Sequence, residues 1–217
     1  MSNTLEDARR MVETARATGK LLQIGQQRRS NPRYLHGRDK VLGEMKLLGR
    51  VAAACAQWHR PAQAPLGWPR SYAVEEEILR QYGYASMHQL RNWRWYKGFG
   101  AGPAVELGSQ QLDVCNWFLG TRPTSVLASS RGTYYHKDGF EWPDTVMAIY
   151  EYDTPEGPVN VSYRILSANS SFQRFEAFMG DQGTLVLSEA AHLGEAYREL
   201  SADEKVWAKW AQMGYLQ

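Results

Sequence analysis

Residues 121–187 constrain this chain most, because they repeat one pattern: short apolar-polar runs separated by turn signals. Strands are expected at 126–131, 133–136, 144–152, 159–166, 172–179 and 183–187. Val159, Val161, Tyr163 and Ile165 alternate with Asn160, Ser162 and Arg164, the period of a strand with one packed and one open face. The links at 153–158 and 180–183 are rich in Gly, Pro, Asp and Thr and suit hairpins. These features predict an α+β fold, a mainly antiparallel open-faced sheet with helices packed on one face.

A covering helix is announced at 103–119 by its ends and interior together. Pro103 fits the first helical position and Gly120 the left-handed stop. At about 100° per residue, Val105, Gly108, Leu112, Cys115 and Leu119 share one side, widened by Leu107, Val114 and Phe118. Opposite lies a narrow stripe of Glu106, Gln110, Asp113 and Trp117. A helix this apolar is buried, so the stripe faces hydrogen-bonding partners, water or a ligand. Periodicity alone leaves open a buried helix with one wet edge.

The other bounds come from composition. A chain of 217 residues, 43% hydrophobic and 12% aromatic, can bury a sizeable core. With 25 basic and 23 acidic residues the formal net charge of +2 gives no general pull towards nucleic acid or anionic membranes, so neither partner is expected. Cys55 and Cys115 are the only cysteines; they lack metal spacing and read as small buried hydrophobes suited to a reducing cytoplasm. The histidines show no ligand spacing, so no metal is expected. No apolar run reaches the ~20 residues of a membrane span, and the N-terminus lacks a signal peptide's pattern.

Residues 100–120 also resemble the Gfo/Idh/MocA oxidoreductases, named for glucose-fructose oxidoreductase, inositol dehydrogenase and rhizopine catabolism. Members read approximately G-G-G-x-x-x-D-L-G-x-H-x-x-D-x-x-x-W-x-L-G. Gly100, Gly102, Leu107, Gly108, Asp113, Trp117, Leu119 and Gly120 stand in register, whereas Glu106 replaces the family Asp and Gln110 the family His. In the family that His exchanges a proton with the substrate hydroxyl and the carboxylate one turn earlier orients it. An amide does not titrate, so Gln110 cannot take the acid/base role.

The resemblance reaches nearly the whole chain up to about Leu187 and accounts for its opening. Thr4 and Asp7 form a capping box for a helix ended by Gly19, and residues 21–24 read as a short strand. In the family this helix and strand follow a Glu-Lys-Pro tripeptide and close an N-terminal Rossmann domain. Residues 1–25 are therefore expected to be a remnant of that dinucleotide-binding domain, and residues 26–217 an α+β substrate-binding and oligomerisation domain. The phosphate loop, the ribose-binding acid and the motif lysine would then lie upstream of Met1. Gly98, Gly100 and Gly102 are no substitute, since they follow no apolar strand and Glu106 would set negative charge beside a pyrophosphate.

The remaining segments are read in the same register. Arg29 and Pro32 fit the family's R-x-x-P motif at the cleft edge, although by residue type alone the segment is a solvated basic connector, entering a helix through Lys46. Residues 50–59 are placed as a strand by the family register, since their alanines have little β preference. Three prolines at 61–69 mark a loop, and 73–82 read as a short helix stopped by Gly83. Aromatic and cationic residues then interleave at Trp93, Arg94, Trp95 and Lys97. Such interleaving suits sugar rings or stacked bases, or else Trp93 and Trp95 simply anchor the excursion. A last helix is expected at 202–212.

The expectation is the C-terminal substrate-binding and oligomerisation portion of an NAD(P)-dependent oxidoreductase acting on sugars, polyols or derivatives. Glu106 and Gln110 occupy the catalytic positions; Arg29, Trp93, Arg94, Lys97 and Asp113 are the substrate-binding candidates. NAD or NADP is implied for the full-length family, none for this chain alone, and a homo-oligomer through the open sheet face is expected. The alternative is a non-catalytic carbohydrate-binding or scaffold protein derived from the family.

Overall fold

The computed structural model describes residues 2–132, 134–135, 138–190 and 192–216. One sheet of seven strands organises it: β1 Val51–Arg60, β2 Pro123–Arg131, β3 Thr145–Thr154, β4 Gly157–Leu166, β5 Asn169–Gly180, β6 Gly183–Leu187 and β7 Glu195–Arg198. Their order across the sheet is β2-β3-β4-β1-β5-β6-β7, antiparallel throughout except for the β1-β4 pair. The α+β fold with an open, mainly antiparallel sheet is therefore as the sequence predicts.

Both expected hairpins form. Thr154 pairs Gly157 around Pro155 and Glu156, and β5 returns as β6 across Asp181 and Gln182. Along β4, Val159, Val161, Tyr163 and Ile165 are buried while Asn160, Ser162 and Arg164 are exposed. β1 enters the middle of the sheet, so the β4-β5 link at residues 167–168 crosses its end beside Arg60. β7, a short and largely exposed edge strand, carries too little apolar signal to be read from sequence.

Helices cover one face. The expected helix at 103–119 is in fact two, α5 Gly102–Glu106 and α6 Gly108–Leu119, separated at Leu107, whose φ of −105° departs from the usual helical value of about −63°. Val105, expected on the buried side, is consequently 51% exposed. α6 buries Val114, Cys115, Phe118 and Leu119, and Phe118 stacks on Phe178 of β5 at 4.6 Å. Gly108 allows close approach: a Cβ there would lie 3.1 Å from the Tyr163 ring. Gly120 supplies the expected left-handed stop at φ 70°.

Elsewhere the expectations hold in part. α1 Leu5–Thr18 is capped by Thr4, whose Oγ1 accepts from the Asp7 amide and donates to its carboxylate, but the helix buries no residue. Residues 21–24 form no strand: no described strand lies beside them, and Leu21 is fully exposed. The helix expected through Lys46 is composite, a 3₁₀ turn Gln27–Ser30, then α2 Pro32–Leu35, then π-helical His36–Glu44. Of the strand expected at 133–136, Thr133 and His136 lie outside the described residues. Tyr134 and Tyr135 form a bend whose amides donate to Asp144 Oδ2 at 2.6 and 3.1 Å. The excursion after β1 contains α3 Glu76–Gln81 and α4 Met87–Arg91, and α7 Glu204–Gln212 closes the chain with Trp207 and Trp210 against the core.

Candidate substrate-binding site

The break at Leu107 splits the polar stripe of the central helix into two settings. Glu106, at the end of α5, accepts from Arg94 Nε at 2.9 Å, and Arg94 lies 4.5 Å over the Trp93 ring. One turn on, Gln110 of α6 accepts from Gln27 Nε2 at 3.1 Å. Asp113 receives a two-pronged bond from Arg29, Nε to Oδ2 at 2.8 Å and Nη2 to Oδ1 at 2.9 Å, which raises the Arg29 pKa. Arg29 also sits 5.4 Å over Trp117. The side chains grouped by sequence thus form a row of three pairs along one helix edge, each candidate on α5 or α6 matched by a residue from the 3₁₀ turn or the 93–95 segment.

A cavity of about 330 Å³ opens beside the first pair. Its polar wall is Arg60 at the end of β1, with Arg91, Arg94 and Glu106; its apolar wall is Leu66, Trp95, Pro103, Leu107 and Phe140. Asn92 and Tyr135 are spent on construction. Asn92 Oδ1 accepts from the Leu66 amide at 2.8 Å and its Nδ2 donates to Leu66 O at 3.2 Å, which pins the proline-rich loop as a rim. Tyr135 accepts from the Gln63 amide at 2.7 Å and donates to Ser167 O at 3.0 Å. Trp95 stacks on Phe140 at 5.2 Å with the planes 3° apart, giving an aromatic wall. Trp93 faces a neighbouring groove with Trp68, Tyr72 and Tyr84, and Lys97 Nζ sits over Trp142, so neither lines this cavity.

Beneath the row lies an ionic network that sequence reading missed. Arg28, 2% exposed, bonds Glu176 of β5 through Nη1 and Glu189 through Nη2 at 3.2 Å. Glu176, wholly buried, also accepts from Tyr34 Oη and Gln111 Nε2, each at 2.7 Å. Burial raises the Glu176 pKa against the opposing pull of Arg28 and these two donors. For Arg28, burial lowers and its anionic neighbours raise, with a net rise. Gln111 stands three residues after Gly108 on the apolar side of α6, and a lone amide in that place was the available signal.

A family model described as the GFO/IDH/MocA C-terminal domain matches residues 44–186. The chain belongs to the Gfo/Idh/MocA family. Among solved structures, it is similar to the aldose-aldose oxidoreductase from Caulobacter crescentus complexed with glycerol, at TM-score 0.66 and 16% identity over 99% of this chain and 60% of that one. It is similar also to the WlbA dehydrogenase from Bordetella pertussis in complex with NADH and UDP-GlcNAcA, at TM-score 0.64 and 16% identity over 100% and 60%. An oxidoreductase domain protein from Kribbella flavida gives TM-score 0.65 and 15% identity over 94% and 52%. The chain thus spans between half and three fifths of these relatives. No curated protein matches it.

The family's dinucleotide does not fit the one Gly-rich helix start described. A Cβ at Gly100 would lie 2.4 Å from Arg94 O, and one at Gly102 2.8 Å from the Trp142 ring. These glycines admit the chain's own atoms rather than a pyrophosphate, and α5 is a five-residue helix. Among the described residues no group of three His, Cys, Asp or Glu is placed to hold a metal ion, and no helix is long and apolar enough to cross a membrane.

Proposed function

We propose that this chain is the substrate-binding and oligomerisation portion of an NAD(P)-dependent oxidoreductase acting on a sugar, polyol or derivative, and that alone it transfers no hydride. The observation that carries the reading is Glu106: it stands at the family's carboxylate position and faces a cavity walled on one side by arginines and on the other by the Trp95 ring. Aromatic walls take the C–H faces of a sugar while charged groups bond its hydroxyls. The names of the similar proteins, which include NADH, UDP-GlcNAcA and glycerol complexes, support the class. Residues 1–25 are read as the end of a Rossmann domain, consistent with an α1 that buries nothing here.

Hydride transfer needs a nicotinamide fixed a few ångströms from the substrate carbon and a group to take the hydroxyl proton. The proton has no acceptor at Gln110, whose amide is engaged by Gln27, so Glu106 is the remaining titratable group at these two positions. The test is a titration of the chain with glucose, glycerol and inositol followed by amide chemical shifts, beside an NADH absorbance assay on the same panel. Weak binding that Glu106→Ala reduces about tenfold, the loss of one charge-assisted hydrogen bond, and no turnover are expected. Binding left intact by both Glu106→Ala and Gln110→Ala, or steady turnover, would refute the proposal.

The same Gln110 favours a second reading, a non-catalytic carbohydrate-binding or scaffold protein derived from the family. Reading the coding DNA upstream of the Met1 codon separates the two: a Gly-rich phosphate loop in frame supports the enzyme, and its absence supports the binder.

A further inference from the structure

The cavity holds more positive charge than its walls neutralise. Among the described residues Arg60, Arg91 and Arg94 line it against the single carboxylate of Glu106, which Arg94 already occupies. Arg60 forms no ion pair among the described residues. Among the described residues its one side-chain hydrogen bond is Nε to Ser167 Oγ at 3.3 Å, and its guanidinium lies 5.5 Å from the Trp95 ring centroid. A partly buried guanidinium costs free energy unless a carboxylate or equivalent anion meets it. Burial indeed lowers the Arg60 pKa, an effect that Tyr135 and Glu106 oppose and Arg94 reinforces. Ser167 and Trp95 hold the group at one nitrogen and one face, and its two outer nitrogens have no hydrogen-bond partner among the described residues.

We infer that the cavity takes an anionic sugar, a monosaccharide bearing a carboxylate or phosphate that the Arg60 fork binds while the ring lies against the apolar wall of Leu66, Pro103 and Leu107. This rests on the sugar-site reading above and names the substrate class of that site. A volume of about 330 Å³ is near the lower end of the roughly 300–1,000 Å³ of ligand pockets, room for a single ring. A guanidinium matches both oxyanions through two parallel bonds. A neutral sugar would bind while leaving the Arg60 charge unmet, and the difference between the two is the selectivity the site provides.

The experiment titrates the chain with glucose, glucuronate and glucose 6-phosphate and reads amide chemical shifts. At least one anionic sugar is expected to bind about tenfold or more tighter than glucose, and the tighter of the two identifies the oxyanion. The preference should shrink as salt rises. It should vanish in Arg60→Met and persist in part in Arg60→Lys, which keeps the charge without the fork. The salt series on the unaltered chain decides the matter even if Arg60→Met does not fold. Equal affinity for all three sugars, or a preference indifferent to both salt and Arg60→Met, would overturn the anionic class and leave the sugar site standing. No binding of any of the three would overturn both.

Discussion

Replacing Glu176 by Gln tests what ties the 3₁₀ turn and α6 to β5. The wild-type carboxylate accepts from three donors, Arg28 Nη1, Tyr34 Oη and Gln111 Nε2. Glutamine presents an NH2 to a ring of donors and leaves Arg28, 2% exposed, with Glu189 as its one counter-charge among the described residues. Breaking a buried ion pair from one side costs about 3–5 kcal/mol. The double replacement Arg28→Met with Glu176→Met removes the stranded charge as well. Gln111 Nε2 then still has Gln57 O at 2.7 Å and Phe175 O at 3.1 Å, so the Tyr34 hydroxyl is the one donor orphaned. That leaves about 1–3 kcal/mol, so the double variant should be more stable than Glu176→Gln. Urea unfolding at neutral pH measures both, with the slope checked for constancy. Glu176→Gln within about 1 kcal/mol of wild type, or a double variant no better than the single, refutes the network as a coupled unit.

Three further outcomes are expected. His59, 8% exposed, donates through Nδ1 to Ser171 O at 2.6 Å, and burial holds its pKa below the ordinary value. Stability is therefore full above the unfolded value of about 6.5 and is lost as pH falls through it; a urea midpoint that drops below about pH 6.5 in wild type and drops less in His59→Gln is expected, and identical profiles would exclude His59 as the cause. Gly183→Ala puts a Cβ 2.5 Å from Trp207 and 2.7 Å from Tyr197 O, so a loss of about 1–3 kcal/mol and loosening of α7 in hydrogen exchange are expected, against which an unchanged melting curve would count. The open sheet face exposes Leu127, Met147 and Ile149 at 75, 54 and 46%; light scattering should find a dimer or tetramer that Met147→Glu dissociates, and a wild-type monomer at micromolar concentration would remove the assembly.

The fold was legible wherever one face is buried and the other wet. The alternation from Val159 to Ile165 survives as the burial pattern of β4, because a one-residue slip would expose four apolar side chains. Misreadings arose where tertiary contacts decide. Residues 21–24 are apolar enough for a strand, but a strand exists only beside another and none is described there. The helix at 103–119 reads as continuous because no proline stands near Leu107; the structure divides it there, and Gly108, the first residue of α6, packs close to the Tyr163 ring, a contact between residues 55 positions apart. The cavity was legible only in part. Glu106 and Arg94 could be grouped by motif and proximity, whereas Arg60 belongs to the site only once the 63–66 rim and the Trp95–Phe140 stack close around it.

Gln27, Arg28 and Arg29 show why the site's edge resists a reading by residue type. As a sequence they are an unremarkable polar connector. In a 3₁₀ turn, consecutive side chains point about 120° apart, so three neighbours reach three different partners: Gln27 bonds Gln110, Arg28 enters the core to Glu176, and Arg29 forks onto Asp113. Gln111, adjacent to Gln110, bonds the same Glu176. The two ends of this arrangement, the turn and α6, are therefore tied to each other at the surface and to β5 through one buried carboxylate. Arg29 and Asp113 are 44% and 21% exposed, where an ion pair alone contributes about 0–1 kcal/mol, so this surface pair adds little to the contacts that tie the turn to α6.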